Sequence, residues 1–366
     1  MTNTTPKPRV VVAMSGGVDS SVAAYLLAKE GYDVVGVTMR LWVADDDEDI
    51  TADHQGCCSI EDIEDARLVC QAIGIPHYVM NVQNEFREHV MDYFVEEYAN
   101  GRTPHPCIAC NDRIKFDFLM RRAEMMDAQY LATGHYARIV ADEVTGERSL
   151  LKGIDDAKDQ AYVLYGLNAK LLERVLLPVG WHSKQRIREL AVEAGLHLAD
   201  KKDSQEICFI PKGDYREFIQ KRMEPHPGEI VHVDGRVLGE HKGIEFFTVG
   251  QRRGLGITPN APVTERLFVT DVDPETRRVT VGPEEALYQR EVHVAKVNYI
   301  GGNPPPEPLQ VTAKIRYNGL VATAMLRPGS DRLATLQFDD PQRAVAPGQA
   351  AVFFDGDRVI GGGQVV

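Results

Sequence analysis

Cys107 and Cys110 stand two residues apart in GRTPHPCIACNDRIKF, residues 101–116, between proline-marked turns and an amphipathic run. A CxxC pair of this kind supports four chemistries: half of a zinc site, a dithiol redox couple, part of an iron-sulfur ligand set, or a single nucleophilic cysteine with a neighbour. Structural zinc calls for a second CxxC or a well-spaced CxxH, and the sequence holds neither. A third thiol, Cys208, lies in LADKKDSQEICFIPKGD. Lys201 and Lys202 would lower its pKa if the fold brings them close, whereas ICFI taken alone suits a buried structural thiol. A different chemistry is written in SGGVDSS, Ser15 to Ser21. Gly16 and Gly17 let backbone N–H groups approach a ligand, and a helix starting after them presents its positive end, so the string reads as a polyanion cradle. Ser15 and Ser20 can donate to phosphate oxygens, and Asp19 suits a magnesium ion or a helix cap. An SGG turn by itself is also an ordinary capped helix start.

The elements that must position these groups are legible around them. RVVVAM, residues 9–14, is a buried-strand run that turns through the glycines into a helix ending before Gly31. DVVGVTM and PHYVMN read as further buried strands, with a helix between them opened by a capping box at Ser59 and Asp62. Residues 112–126 look helical and QYLATG, 129–134, looks like another strand. This alternation predicts a parallel sheet covered on both faces. YARIVADEVTGERSLLKG predicts a hairpin insertion, and HSKQRIRELAVEAG a helix near the end of a first domain. From about residue 225 the density of Pro and Gly suggests a small, strand-poor connecting domain, although RLFVTDVDPETRRVTVG carries a hairpin signal. After residue 288 short alternating runs predict a closed antiparallel barrel, because closure removes exposed sheet edges. The expected domains are 1–215, 216–283 and 284–366.

A chain of 366 residues exceeds the usual span of one core, which agrees with that division. Six cysteines are too few for a disulfide scaffold, so free thiols, ligands or reactive groups are expected; Cys70, in DARLVCQAIG, suits a buried helix position. The start MTNTTPKPRV lacks an apolar targeting segment and no run of about 18 apolar residues occurs, so the expectation is a cytoplasmic protein with no membrane association. The net charge of −13 argues against a nucleic-acid partner only superficially. Residues 45–65 hold ten Asp or Glu and no Lys or Arg, which leaves the rest of the chain at −3 with room for local basic surfaces.

The glycine string after a buried strand resembles the pyrophosphatase loop of enzymes that split ATP between its α and β phosphates. It is not the lysine-bearing GxxxxGK[ST] loop, nor a GxGxxG fingerprint. With GCCS, CNDRIKF, LATGHYAR, KDQAYVL, KKDSQEICFI and FTVGQRRGLGI following in order, the chain resembles the bacterial tRNA-specific 2-thiouridylases from residue 10 into the barrel. That resemblance implies an α/β fold: a parallel-sheet, Rossmann-like adenine-nucleotide domain, a small central domain and a C-terminal antiparallel β-barrel. It implies ATP-dependent exchange of O2 of uridine 34 for sulfur, with tRNA for Lys, Glu and Gln as partners and a sulfur-donor protein or cysteine desulfurase system. It places ATP at Ala13, Met14, Ser15, Gly16, Gly17, Val18, Asp19 and Ser20, with Met39 and Gly134, and Mg2+ alongside. Cys110 matches the nucleophile and Cys208 the persulfide carrier. His105, Pro106 and Cys107 match a target-base loop in which many members carry Asn-Pro-Asp, so a thiol replaces a carboxylate here. Lys158, Asp159 and Gln160 match one tRNA contact, and Arg316 with Tyr317 another. Arg113, Lys115, Lys184, Arg186, Arg188, Lys201, Lys202, Arg252 and Arg253 are further cations that would converge on RNA. Two readings stay open beside this one. Cys107, Cys110 and Cys208 can ligate a [4Fe–4S] cluster with an open iron, and the loop can serve an ATP-dependent ligase or amidase acting on a small molecule.

Overall fold

The computed structural model describes residues 7–41, 59–203, 207–210, 214–257 and 265–366. Cys57, Cys58 and the acidic run up to residue 58 lie outside the described residues. Two compact units form: Met1–Val90, Cys107–Gly213 and Asp357–Val359 make the first, and Met91–Pro106, Asp214–Gly356 and Ile360–Val366 the second.

The first unit contains strands β1 (Arg9–Ala13), β2 (Asp33–Arg40), β3 (His77–Asn81), β4 (Tyr130–Ala132), β5 (Ala137–Ala141), β6 (Arg148–Lys152) and β7 (Val175–Leu176). Five of them form a parallel sheet in the order β3-β2-β1-β4-β7. Val10, Val11 and Val12 of the central strand are fully buried, as a strand covered on both faces requires. Helix α1 (Val18–Glu30) brings Val22, Ala23 and Leu27 into one core cluster with Val10, Val12, Val69 of helix α2 (Ile60–Ile73), and Ile187 and Leu190 of Lys184–Glu193. Gly31 closes α1 in the left-handed conformation, and the capping box at Ser59 and Asp62 forms as expected at the start of α2. The expected hairpin is β5 with β6.

The second unit departs from the sequence expectation of a strand-poor connector. Strands β8 (Gly228–His232), β9 (Val237–His241), β10 (Phe268–Asp273) and β11 (Arg278–Gly282) form a four-stranded sheet ordered β10-β11-β8-β9. The Pro and Gly residues there mark turns between short strands; they do not mark an absence of strands. The barrel follows with β12 (Tyr288–Tyr299), β13 (Leu309–Lys314), β14 (Ala322–Pro328), β15 (Ala334–Arg343), β16 (Ala350–Asp355) and β17 (Arg358–Val365). Pairing of β12 with β17 as well as β15 provides the closure, around a core that includes Val294, Val311, Leu336, Phe338 and Phe353. Among the described residues no helix is long and apolar enough to cross a membrane.

Candidate nucleotide and sulfur-transfer site

The glycine loop joins β1 to α1, and its geometry is that of a site kept open. Gly16 has φ +70, and a Cβ there would lie 2.3 Å from the Asp62 carbonyl oxygen, so neither the conformation nor the space admits a side chain. Gly17 is the N-cap residue of α1 and no side chain caps the helix, which leaves its first-turn N–H groups to a ligand. Gly134, after β4, approaches the same turn: a Cβ there would sit 2.6 Å from the Ser20 amide nitrogen. Ser20 Oγ accepts from the Ser15 amide at 3.1 Å and donates to Gly17 O at 3.2 Å, and the Ser15 and Ser20 hydroxyls are 3.1 Å apart. Both serines therefore knit the loop together. Met14 and Met39 are buried.

The loop carries no lysine of its own, and tertiary structure supplies two. Lys184 Nζ donates to both Asp19 carboxylate oxygens at 2.8 and 2.9 Å, and Tyr136 OH donates to the same carboxylate at 2.7 Å. Lys201 Nζ donates to Gly16 O at 3.0 Å, Asp62 Oδ1 at 2.8 Å and Asp65 Oδ2 at 2.6 Å. Burial alone would raise the Asp65 carboxyl, but hydrogen bonds from Lys201 and His197 outweigh it and hold the group below the usual carboxylate range. Lys184 also reaches Asp203 Oδ1 at 2.8 Å, and Asp203 takes Lys158 at 2.8 Å and Arg188 at 3.3 Å as well. Lys201 thus points at the loop and at α2. Lys184, Arg186, Arg188 and Lys201 are each engaged by Asp, Glu or backbone oxygens of their own unit.

Cys107 and Cys110 sit on one helical run, Pro106–Ala109 continuing through a π-helical stretch, Cys110–Leu119, into Met120–Met125. The helix thus starts six residues before the expected 112. Pro106 opens it, as suits a residue with no N–H to satisfy in the first turn. Cys107 is exposed, whereas Cys110 is buried with Asn111, Ile114, Phe116 and Leu119. Asn111 donates through Nδ2 to Val163 O at 2.9 Å and accepts from Lys115 Nζ at 2.8 Å, which ties the cysteine helix to KDQAYVL. His135, of LATGHYAR, lies near this helix, with Phe116 at a ring distance of 6.2 Å. Burial, assisted by the Lys115 charge, drives its pKa well down, so it stays neutral beside Thr133 Oγ1 at 2.7 Å. Burial also pushes the Asp112 carboxyl up to about 7, against a smaller opposing effect of Arg113. Nothing in the sequence reading singled out Asp112, Tyr136 or Asp203.

Cys208 is half-buried in a short turn whose next residue, Phe209, packs edge-on against Phe86 at 5.8 Å. Among the described residues no group of three or more His, Cys, Asp or Glu is gathered so as to hold a metal ion, the alternative cluster ligands Cys107, Cys110 and Cys208 included. Of the triplet expected at tRNA, Lys158 is ion-paired to Asp203, Asp159 Oδ1 accepts from the Gly153 and Ala161 amides at 2.9 and 3.1 Å, and Gln160 accepts from Tyr136 N at 3.0 Å. In the second unit, Tyr317 lies in the turn after β13 next to Arg316, and its ring meets His105 edge-on at 5.6 Å. Burial pushes that imidazole down to about 4.

Three family models tile this architecture: a tRNA methyl transferase HUP domain over residues 8–212, a tRNA methyl transferase PRC-barrel domain over 216–283 and an aminomethyltransferase beta-barrel domain over 289–365. A parallel-sheet domain with an open glycine loop, joined to a small β domain and a closed barrel, thus defines a class of tRNA-modifying enzymes. Full-length relatives narrow the class. The chain is 49% identical to the tRNA-specific 2-thiouridylase MnmA of Clostridium acetobutylicum over 98% of this chain and 99% of that one. It is 50% identical to MnmA 2 of Caldanaerobacter subterraneus and 47% identical to MnmA of Clostridioides difficile, each over 98% of this chain and at least 97% of the relative. The chain belongs to the tRNA-specific 2-thiouridylase MnmA family.

Proposed function

We propose that this enzyme replaces O2 of the wobble uridine of tRNA with sulfur, at the expense of ATP cleaved to AMP and pyrophosphate. The observation that carries the reading is one unit holding both halves of the chemistry: an uncapped helix N-terminus behind Gly16, Gly17 and Gly134, and the thiols of Cys110 and Cys208. The domain models are named for methyl transfer, but the relatives matched over their whole length are thiouridylases.

ATP binds at Ala13 to Ser20, with Met39 against the nucleotide and Gly134 leaving room beside the first turn of α1. Uridine is reached in a single-stranded anticodon loop, where unstacking is cheap. Its O2 attacks the α phosphorus; the O–P bond forms as the bond to pyrophosphate breaks. The α1 N–H groups stabilise the charge on the phosphate oxygens. Magnesium arriving with the nucleotide would face Asp19 and neutralise the leaving pyrophosphate. The terminal sulfur of a Cys208 persulfide then attacks C2 and AMP leaves. Cys110 thiolate attacks Cys208 Sγ, the persulfide bond breaks toward the nucleoside sulfur, and a Cys110–Cys208 disulfide results that two electrons from an external reductant reopen. His105, Pro106 and Cys107 would face the target base, with Lys158, Asp159, Gln160, Arg316 and Tyr317 at the tRNA. The functional division is 1–215 for chemistry, 216–283 as connector and 284–366 as the tRNA-contacting barrel. The Lys, Glu and Gln tRNAs, a cysteine desulfurase system and a cytoplasmic location complete the reading. The alternative carrier is a [4Fe–4S] cluster held by Cys107, Cys110 and Cys208, for which no gathered group of ligands is found among the described residues. The small-molecule ligase is set aside by family membership.

The test mixes enzyme, Mg-ATP, a persulfide donor and unmodified tRNA, and reads 2-thiouridine in the digested RNA by mass spectrometry. Product from wild type, absent with Cys110→Ser and Cys208→Ser, is expected. Product from the double variant would overturn the assigned thiols.

A further inference from the structure

Two successive glycines give the loop its close approach to a ligand, and they also leave the peptide plane they share, Gly16 to Gly17, little resistance to turning over. The bond is trans, so its carbonyl and its N–H point in opposite directions. Whichever side of the loop the Gly16 oxygen takes, the Gly17 N–H takes the other. One side chain makes that choice. Lys201 Nζ donates to Gly16 O at 3.0 Å, and two carboxylates of α2 set its place, Asp62 Oδ1 at 2.8 Å and Asp65 Oδ2 at 2.6 Å. Asp62 divides its oxygens: Oδ2 accepts from the Ser59 hydroxyl at 2.7 Å and the Ser59 amide at 3.2 Å, while Oδ1 takes the lysine. Asp65 Oδ1 lies 2.8 Å from His197 Nε2, which steadies the second carboxylate. The Asp62 backbone is also pressed against Gly16, with its carbonyl oxygen 2.3 Å from where a Cβ would stand. The cap of α2, the half-buried Lys201 and the glycine loop are therefore one hydrogen-bonded assembly, and it turns the Gly17 N–H away from Lys201.

A plane turned over would set an acceptor oxygen against the acceptor oxygens of a phosphate, whereas the observed orientation offers them a donor. Resting on the ATP cradle of the reading above, we propose that Lys201 is a positioning residue for the nucleotide loop: by holding Gly16 O it aims the Gly17 N–H at the phosphates of ATP. Lys201 touches no phosphate itself and acts through the orientation of one peptide group. Its effect therefore falls on ligands that carry the phosphate chain, and spares the nucleoside part that the same reading sets against Met39.

Calorimetric titration of the full-length enzyme with Mg-ATP, and separately with adenosine, tests this. Lys201→Met is expected to weaken Mg-ATP roughly tenfold, the lower end for losing a charge-assisted hydrogen bond, and to leave adenosine within about twofold of wild type. Lys201→Arg, which keeps a charged donor, is expected to return most of the lost affinity. Asp65→Asn separates positioning from scaffolding. It loosens the tie between Lys201 and α2 while leaving the Gly16 contact, so its Mg-ATP affinity should stay within about twofold of wild type. As large a loss in Asp65→Asn as in Lys201→Met would show that the lysine serves only to fasten α2, and would overturn the proposal. Wild-type Mg-ATP affinity in Lys201→Met, or an equal loss for ATP and adenosine, overturns it too. Should Lys201→Met fail to fold, wild type carries the test: with isotope-labelled glycine, the Gly17 amide resonance must shift on saturation with Mg-ATP and hold still with adenosine. An unmoved Gly17 signal under Mg-ATP counts against the proposal as decisively. Failure of the functional reading shows differently, because wild type itself then binds no Mg-ATP and the cradle falls along with the role assigned to Lys201.

Discussion

Gly134 and Asp112 show what single residues decide in this site. A methyl group at 134 has nowhere to go, with the Ser20 amide nitrogen 2.6 Å away and the Asp19 carbonyl carbon 2.8 Å away, both backbone atoms. Gly134→Ala is therefore expected to push the first turn of α1 off its cradle geometry and weaken Mg-ATP binding by at least about tenfold, or about 1.4 kcal/mol. Isothermal titration against wild type reads it, and equal affinities would refute the claim that the closeness of β4 to α1 builds the cradle. Asp112 works through a proton. Its carboxyl is raised to about 7 by burial, and Gly166 leaves room for it: a Cβ at 166 would lie 2.1 Å from Asp112 Oδ1. Between about pH 4, where an unfolded Asp ionises, and pH 7 the folded state keeps a proton that the unfolded chain has lost. Stability supplied by that proton is thus present in acid, declines across this window and is gone above it. Asp112→Asn is expected to gain roughly 1–3 kcal/mol relative to wild type at pH 8 and nothing at pH 4. Urea unfolding at the two pH values checks it; the same difference at both would dismiss the buried proton.

The π-helical stretch that carries Cys110 makes its case at the scale of an element. With a wider turn than an α-helix, it buries Cys110 and Asn111 side by side with Ile114. The Asn111 amide is the peg, because it satisfies Val163 O and holds Lys115 in one place. Asn111→Ala removes both bonds and leaves a buried carbonyl unpaired, for an expected loss of about 1–3 kcal/mol in denaturant unfolding together with slower Cys110 alkylation or thiolation. A neutral effect on both would show that packing alone sets this helix. Local signals made much of the surrounding scaffold legible: valine runs for β1 and β2, Ser59 and Asp62 for α2, and alternation for the β5–β6 and β10–β11 hairpins. The π stretch left no such mark, since its wider turn matches neither the helical period of 3.6 nor the strand period of 2. The four-stranded central sheet was hidden by its own turns. Lys184 and Asp19 are 165 residues apart, and Lys201 and Gly16 are 185 apart, so their pairing follows from topology and has no local pattern to betray it.

For the molecule as a whole the problem is how a chain at −13 holds RNA. Lys184, Arg186, Arg188 and Lys201 are paired with carboxylates of the first unit, so a phosphate at any of them competes with a carboxylate. Of the cations the sequence offered, Arg113, Lys202, Arg252 and Arg253 remain on exposed positions. Arg252 and Arg253 follow Gln251, whose side chain donates to Arg253 O at 3.0 Å and accepts from Thr248 N at 3.2 Å. The backbone beneath the two arginines is thereby set before any RNA arrives, which lowers the ordering cost of a phosphate contact. Each phosphate neutralised in single-stranded RNA contributes about −0.7 to the slope of log K against log salt, and about −0.9 in duplex. Arg252→Glu with Arg253→Glu should therefore weaken tRNA binding most at low salt and flatten that slope by roughly 1.4–1.8. Affinity measured by filter binding between about 50 and 200 mM salt separates the outcomes. If affinity drops while the slope stays at its wild-type value, the two arginines support the fold of the second unit and do not touch phosphate; if neither changes, RNA is held by other groups.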